Sequence, residues 1–142
     1  MPDSDETEFV TAACQGKVAQ VIDDLAAAVA AAGLTVFARI DHGANAAEAD
    51  IELRPTELLI FGNPRAGTVL MLDRQTAGIE LPFKALAWED EAGQVWLTYP
   101  EPAAIARRHG LGERSEPVLN LISDGMKAVV QTLTPPKSAP RS

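Results

Sequence analysis

Apolar residues recur at helical spacing between Lys17 and Gly33, where Val18, Val21, Ile22, Leu25, Ala28, Val29 and Ala32 share one face of a 3.6-residue repeat. Gly33 stands where helices commonly end in a left-handed residue, so the pattern predicts a helix closed at that point. LTVFARID, from Leu34 to Asp41, is rich in β-branched and aromatic residues and predicts a strand. EFVTAAC, just before the helix, predicts a first strand, so the chain opens β-α-β. HGANAAEAD predicts one or two helical turns, and the Arg54-Pro55 step ends them because a residue preceding proline is pushed out of the helical region.

TELLIFG, from Thr56 to Gly62, reads as a third strand and runs directly into NPRAG. Asn63 is suited to cap a helix, and Pro64 to occupy its first position, where the missing N–H has no helical partner anyway. The predicted helix spans Pro64 to Arg74, although Gly67 costs about 1 kcal/mol inside it relative to alanine. After the turn QTAG, LPFKALAWEDEAGQVWLTYP forms two strand-like runs about Glu89 to Gly93. Leu86 and Trp88 alternate on one run, and Val95, Leu97 and Tyr99 on the other. Pro102 begins a short helix, PAAIARRHG, closed by Gly110. Ser115 is placed to cap a last helix whose stripe is Val118, Ile122, Met126, Val129, Val130 and Leu133.

The resulting order, β-α-β-α-β-α-β-β-α-α, combines crossovers with a hairpin. It predicts an α+β fold: a mixed β-sheet with the hairpin in the C-terminal half, covered by helices. The expected organisation is an acidic flexible stretch over 1–8, one domain over 9–133, and a disordered proline-rich tail over 134–142. A chain of 142 residues can bury roughly two-thirds of its unfolded surface in one core without a metal or disulfide staple.

Charge then narrows the partners. A formal net charge of -8 opposes phosphate backbones and anionic lipid, so neither nucleic acid nor a membrane surface is expected. MPDSDETE has four acids, no base and no apolar region after it, so it does not read as a secretory signal, and the expected compartment is the cytoplasm. With Cys14 the single cysteine and His42 and His109 the two histidines, neither a disulfide nor a sulfur- and nitrogen-rich zinc site is expected, and no cofactor is predicted. Cys14 reads as buried filler.

Three ordered stretches, FARIDH at 37–42, LLIFGNPRAGTVLM at 58–71 and ELPFKALAWEDEAGQVWLTYPEP at 80–102, resemble the domain of unknown function 302 family. The resemblance extends from about Lys17 to Leu133. It implies a small bacterial or archaeal α+β domain, a homodimer, with no settled biochemical role. The family-like positions are Asp41, His42, Gly62, Asn63, Pro64, Leu81, Pro82 and Lys84. The resemblance also implies that some members carry cysteine where this chain has Gly62, so thiol chemistry at that corner is unavailable here.

Asp41-His42 is the most chemical pair, since a carboxylate beside an imidazole can set its tautomer for acid-base work. Adjacent strand residues point to opposite faces, however, and the plainer reading is a strand end with Asp41 bonded to backbone donors. A helix starting at Asn63 offers first-turn amides to an anion, with Arg65 adding charge, although PRAG lacks the glycines and lysine of a phosphate loop. Lys84 reads as either a ligand partner or edge protection. Trp88 and Trp96 read as core or interface anchors, and His109 as a cation at a helix C-terminus.

The leading expectation is therefore a homodimeric domain that binds a small anionic ligand without catalysis, in a pocket bordered by Asp41, His42, Asn63, Pro64, Arg65 and Lys84. The alternatives are an enzyme with His42 as acid or base and Lys84 steadying negative charge, and a structural or partner-binding dimer with no ligand.

Overall fold

The computed structural model describes residues 7–134. Most of the expected acidic terminus, and all but Thr134 of the expected tail, lie outside the described residues. The chain forms β1 (Phe9–Cys14), α1 (Val18–Ala31), β2 (Thr35–Asp41), α2 (His42–Glu48), β3 (Thr56–Gly62) and α3 (Pro64–Asp73), followed by a 3₁₀ turn at Gln75–Glu80. β4 (Phe83–Glu89), β5 (Val95–Pro100), α4 (Pro102–His109), a second 3₁₀ turn at Glu113–Ser115 and α5 (Glu116–Leu133) complete it. This is an α+β fold.

Local signals place the element ends. Asn63 Oδ1 accepts from the Arg65 and Ala66 amides, with Pro64 in the first turn. Gly33 and Gly110 adopt φ of +85° and +69°, a region that glycine enters without a Cβ clash. Ser115 behaves differently from expectation: its hydroxyl makes no cap and donates instead to Asp73 Oδ2 at 2.7 Å, pinning the start of α5 to the end of α3.

The sheet order is β1-β5-β4-β3-β2, and every neighbouring pair is antiparallel. The expected mixed sheet is thus antiparallel throughout. The physical reason is that α1 carries the chain across the whole sheet: β1 and β2 become opposite edges, and β3, β4 and β5 fill the space between them.

The core lies on one face, where Leu59, Phe61, Phe83, Ala85, Ala87, Val95, Leu97 and Tyr99 meet α1 and α5. Burial of Val18, Val21, Ile22, Leu25 and Val29 uses the stripe of α1 that the sequence displays. On the same face Arg39 donates to the buried Glu57 carboxylate at 2.7 Å and to Asp23 at 2.6 Å, tying β2, β3 and α1 together. Strand alternation sends Leu86 and Trp88 to the other face, with Leu58, Ile60 and Trp96 beside them. The tryptophans stack there at 6.3 Å and are half-buried, outside the core. Period-two patterning defines two faces, and only the helices decide which one is inside.

Candidate functional site

At the Gly62 end of the sheet the helix-covered side opens into a cavity of about 540 Å³. Phe61 and Phe83, in edge-to-face contact at 5.8 Å, contribute to its wall, with Leu34 and Phe37 from the β2 side. α3 supplies Pro64, Gly67, Leu70 and Met71, and α5 supplies Leu121, Ile122, Gly125, Met126 and Val129. The volume falls within the range of small-molecule sites, roughly 300–1,000 Å³. No ionisable side chain is among the lining residues; Asn63 and Thr68 supply the polar side chains. The Thr68 hydroxyl donates to Pro64 O at 2.7 Å, so its proton is already used.

Four glycines line this space: Gly62, Gly67, Gly78 and Gly125. None has a positive φ, so backbone conformation does not call for glycine at any of them. Gly67 and Gly125 lie inside helices, where glycine is unfavourable by about 1 kcal/mol relative to alanine. A Cβ on Gly125 would meet nothing within 4 Å, whereas one on Gly78 would come to 3.0 Å from Met71 Sδ. At Gly78 the missing Cβ admits Met71, whereas at Gly67 and Gly125 the missing side chains leave room on the cavity wall at a cost to helix stability.

The six residues expected to border one pocket are divided by the sheet register. Asp41 pairs with Glu57, and Thr35 with Gly62, so Asp41 and Asn63 stand at opposite ends of β3, roughly 20 Å apart. Asp41 Oδ1 accepts from the Ala44 amide at 2.9 Å and caps α2, of which His42 is the first residue. That is the plainer strand-end reading, and among the described residues no Asp41–His42 side-chain hydrogen bond forms. Asn63 and Pro64 do line the cavity. Arg65 does not: at about 100° per residue it falls on the side of α3 away from Pro64, Gly67 and Met71.

Lys84 lies opposite Ile60 on the helix-free face, and its ammonium donates to Glu80 O at 3.1 Å and Pro82 O at 2.9 Å. Burial pulls its pKa below the usual lysine range. Two strands and at least three residue steps separate Lys84 from His42, about 14 Å, so the pair shares no cleft of hydrogen-bonding size. The first-turn amides of α3 are also occupied. Arg65 and Ala66 donate to Asn63 Oδ1, Gly67 donates to Asn63 O, and Pro64 has no N–H.

A second polar cluster joins the first 3₁₀ turn to α4. His109 Nε2 lies 2.7 Å from Glu80 Oε2, and Nδ1 lies 3.1 Å from Thr76 Oγ1. Arg108 donates to the same Glu80 oxygen and to Glu8. The Arg108 hydrogen bond is the main reason Glu80 is held below the usual carboxylate range, and the His109 contact adds to it. A hydroxyl, an imidazole and a carboxylate in a row can activate a nucleophile, but none of the three lines the cavity. Among the described residues no group of His, Cys, Asp and Glu side chains is gathered to hold a metal ion.

Apart from Asn63 and Pro64, the cavity residues escaped the sequence reading because Phe37, Met71 and Gly125 come from three distant segments. One signal was present: glycines at 67 and 125 in otherwise helical stretches. The family model described as "Domain of unknown function DUF302" matches residues 10–129. The chain belongs to this family.

Three curated relatives are each 47% identical to the DUF302 chain over 126 residues, which is 89% of its length. They are named fluoride-specific ion channel FluC 1 in Brucella suis biovar 1 (strain 1330) and Brucella abortus biovar 1 (strain 9-941), and FluC 2 in Brucella melitensis biotype 1 (strain ATCC 23456 / CCUG 17765 / NCTC 10094 / 16M). The match covers 50%, 47% and 47% of those proteins, so the chain spans about half the length of the curated relatives it matches. A crystal structure of an uncharacterized conserved DUF302 protein from Bacillus stearothermophilus superposes with a TM-score of 0.79, at 16% identity, over 89% of this chain and 98% of that one. At that identity the likeness establishes the fold. No described helix is long and apolar enough to cross a membrane.

Proposed function

We propose that this DUF302 chain is a small-molecule-binding domain that holds its ligand, without transforming it, in the cavity between α3, α5 and the Gly62 end of the sheet. The observation that carries this reading is the set of four cavity-lining glycines with no φ requirement, two of them at unfavourable helix-interior positions. An occupant that needs the space gives those positions a reason. The test is titration with N-phenyl-1-naphthylamine, a neutral dye that brightens in apolar surroundings. Saturable binding of one dye per chain, lost in Gly125→Leu while circular dichroism is unchanged, is the expected result. A signal that never saturates, or that Gly125→Leu leaves intact, overturns the assignment.

The domain acts as a homodimer in this reading, joined through the helix-free face of the sheet. Leu58, Ile60, Leu86, Trp88 and Trp96 supply its apolar surface; strand alternation places Lys84 there, and Asp90 borders it, accepting from the Trp96 indole at 2.8 Å. In a chain of net charge -8, this face is poor in acids, so two copies meet on it with little charge repulsion. Strands about 4.8 Å apart and six residues long give a face of roughly 20 by 24 Å. Two such faces together approach the roughly 1,000 Å² that a specific interface buries.

The half-length match to proteins named as fluoride channels favours a second reading, an accessory domain that works beside a channel. Fluoride itself is not the cavity's ligand in either reading, because the lining has no cation to offset its charge. Millimolar fluoride is expected to leave dye affinity and the thermal midpoint unchanged. A saturable shift in either would bring the channel's ion to this domain.

A further inference from the structure

We infer that the cavity selects a neutral, largely apolar molecule carrying one hydrogen-bond acceptor, which the Asn63 carboxamide receives, and that it discriminates against the carboxylate of the same chain length. This deepens the binding reading above and rests on it.

An anion would find no charged partner in the cavity. The lining contains no lysine, arginine or histidine. The α3 amides that might have offered positive dipole ends are occupied within their own turn. Lys84 is on the other face of the sheet with its ammonium tied to two carbonyls, and Arg65 is turned away from the cavity. A carboxylate drawn in would lose its water and gain no charged partner, which is strongly unfavourable. The net charge of -8 adds long-range repulsion.

A neutral ligand would find complementary surface. Phe37, Phe61, Phe83, Met71 and Met126 offer polarizable apolar contact. Asn63, an exposed residue at the rim of the cavity, spends its Oδ1 on the α3 cap, and among the described residues its amide N–H groups have no protein acceptor. The cap thereby fixes which end of the carboxamide is free: a donor, suited to a hydroxyl, ester or ketone oxygen.

The experiment is displacement of N-phenyl-1-naphthylamine by decan-1-ol, methyl decanoate and decanoate at about pH 8, where the acid is ionised. The two neutral compounds are expected to displace the dye at concentrations at least roughly tenfold lower than decanoate. In Asn63→Asp the carboxylate still caps α3, so the thermal midpoint should hold, while the donor is gone and methyl decanoate, which can only accept, should weaken several-fold. Equal or better displacement by decanoate overturns the neutral-ligand inference and leaves the binding reading standing. Unchanged methyl decanoate affinity in Asn63→Asp removes the assigned role of Asn63. Failure of the dye to bind saturably overturns both the binding reading and this inference.

Discussion

Gly125→Ala should make the apo protein more stable and ligand binding weaker. Gly125 lies inside α5, has no positive φ, and lines the cavity. A Cβ built there meets nothing within 4 Å, so neither a clash nor new packing enters the balance. What remains is helix propensity, which favours alanine by about 0.8–1.0 kcal/mol in a helix interior, part of it through lower unfolded-state entropy. For a chain of this size such a gain raises the thermal midpoint by about 3 °C. Differential scanning calorimetry and urea denaturation of the ligand-free protein measure it directly. The same methyl enters the ligand's space, so dye affinity should fall roughly two- to fivefold, equivalent to about 0.5–1 kcal/mol. Gly125→Leu, which puts four carbons there, should abolish binding. If Gly125→Ala lowers stability, the glycine serves close packing and the reasoning from missing side chains fails. If stability rises while both variants bind as the parent does, the cavity is not the binding site.

Arg39→Met should destabilise the fold by about 1–3 kcal/mol in urea, because it leaves the buried Glu57 carboxylate without its guanidinium partner; a change below about 0.5 kcal/mol would show the pair to be incidental. Acid should also weaken the fold. The Ser115 hydroxyl, Arg108 and the Trp96 indole are the leading causes that hold Asp73, Glu80 and Asp90 below their ordinary values. Between those ordinary values, about 4 to 4.5, and the lower folded ones, the unfolded chain binds more protons, so stability rises with pH. The contribution should be complete above about pH 5 and disappear as pH falls through the folded values, as thermal midpoints across a pH series would reveal. Ser115→Ala should lower the midpoint at neutral pH by about 3 °C and flatten that acid dependence, since the fully buried hydroxyl donates to Asp73. Leu86→Lys, on the helix-free face, should convert a dimer to a monomer in native mass spectrometry with dye binding retained; an unchanged subunit number would place the interface elsewhere.

Much of this protein was determined by its sequence alone, because the forces concerned act within a few residues. The apolar stripes of α1 and α5, the Asn63-Pro64 start of α3, and the glycines ending α1 and α4 depend on hydrogen bonds and contacts inside one turn, and each stands where local chemistry puts it. The family, too, was legible, since ordered motifs along the chain carry it.

Tertiary structure decided everything that depends on which distant segments meet. Alternation in β4 is the same whether Leu86 or Ala85 faces inward, and only the packing of α1 and α5 on one side of the sheet chose Ala85. Strand pairing then set Asp41 against Glu57 and Thr35 against Gly62, which separated His42 from Asn63 by the length of a strand. Ser115, an apparent cap, has helical backbone angles and donates instead to Asp73, 42 residues away, because folding sets the end of α3 against the start of α5. The cavity arises in the same way: glycines at 67 and 125 look like local weaknesses one at a time, and line a common space only because α3, α5 and the end of the sheet meet there.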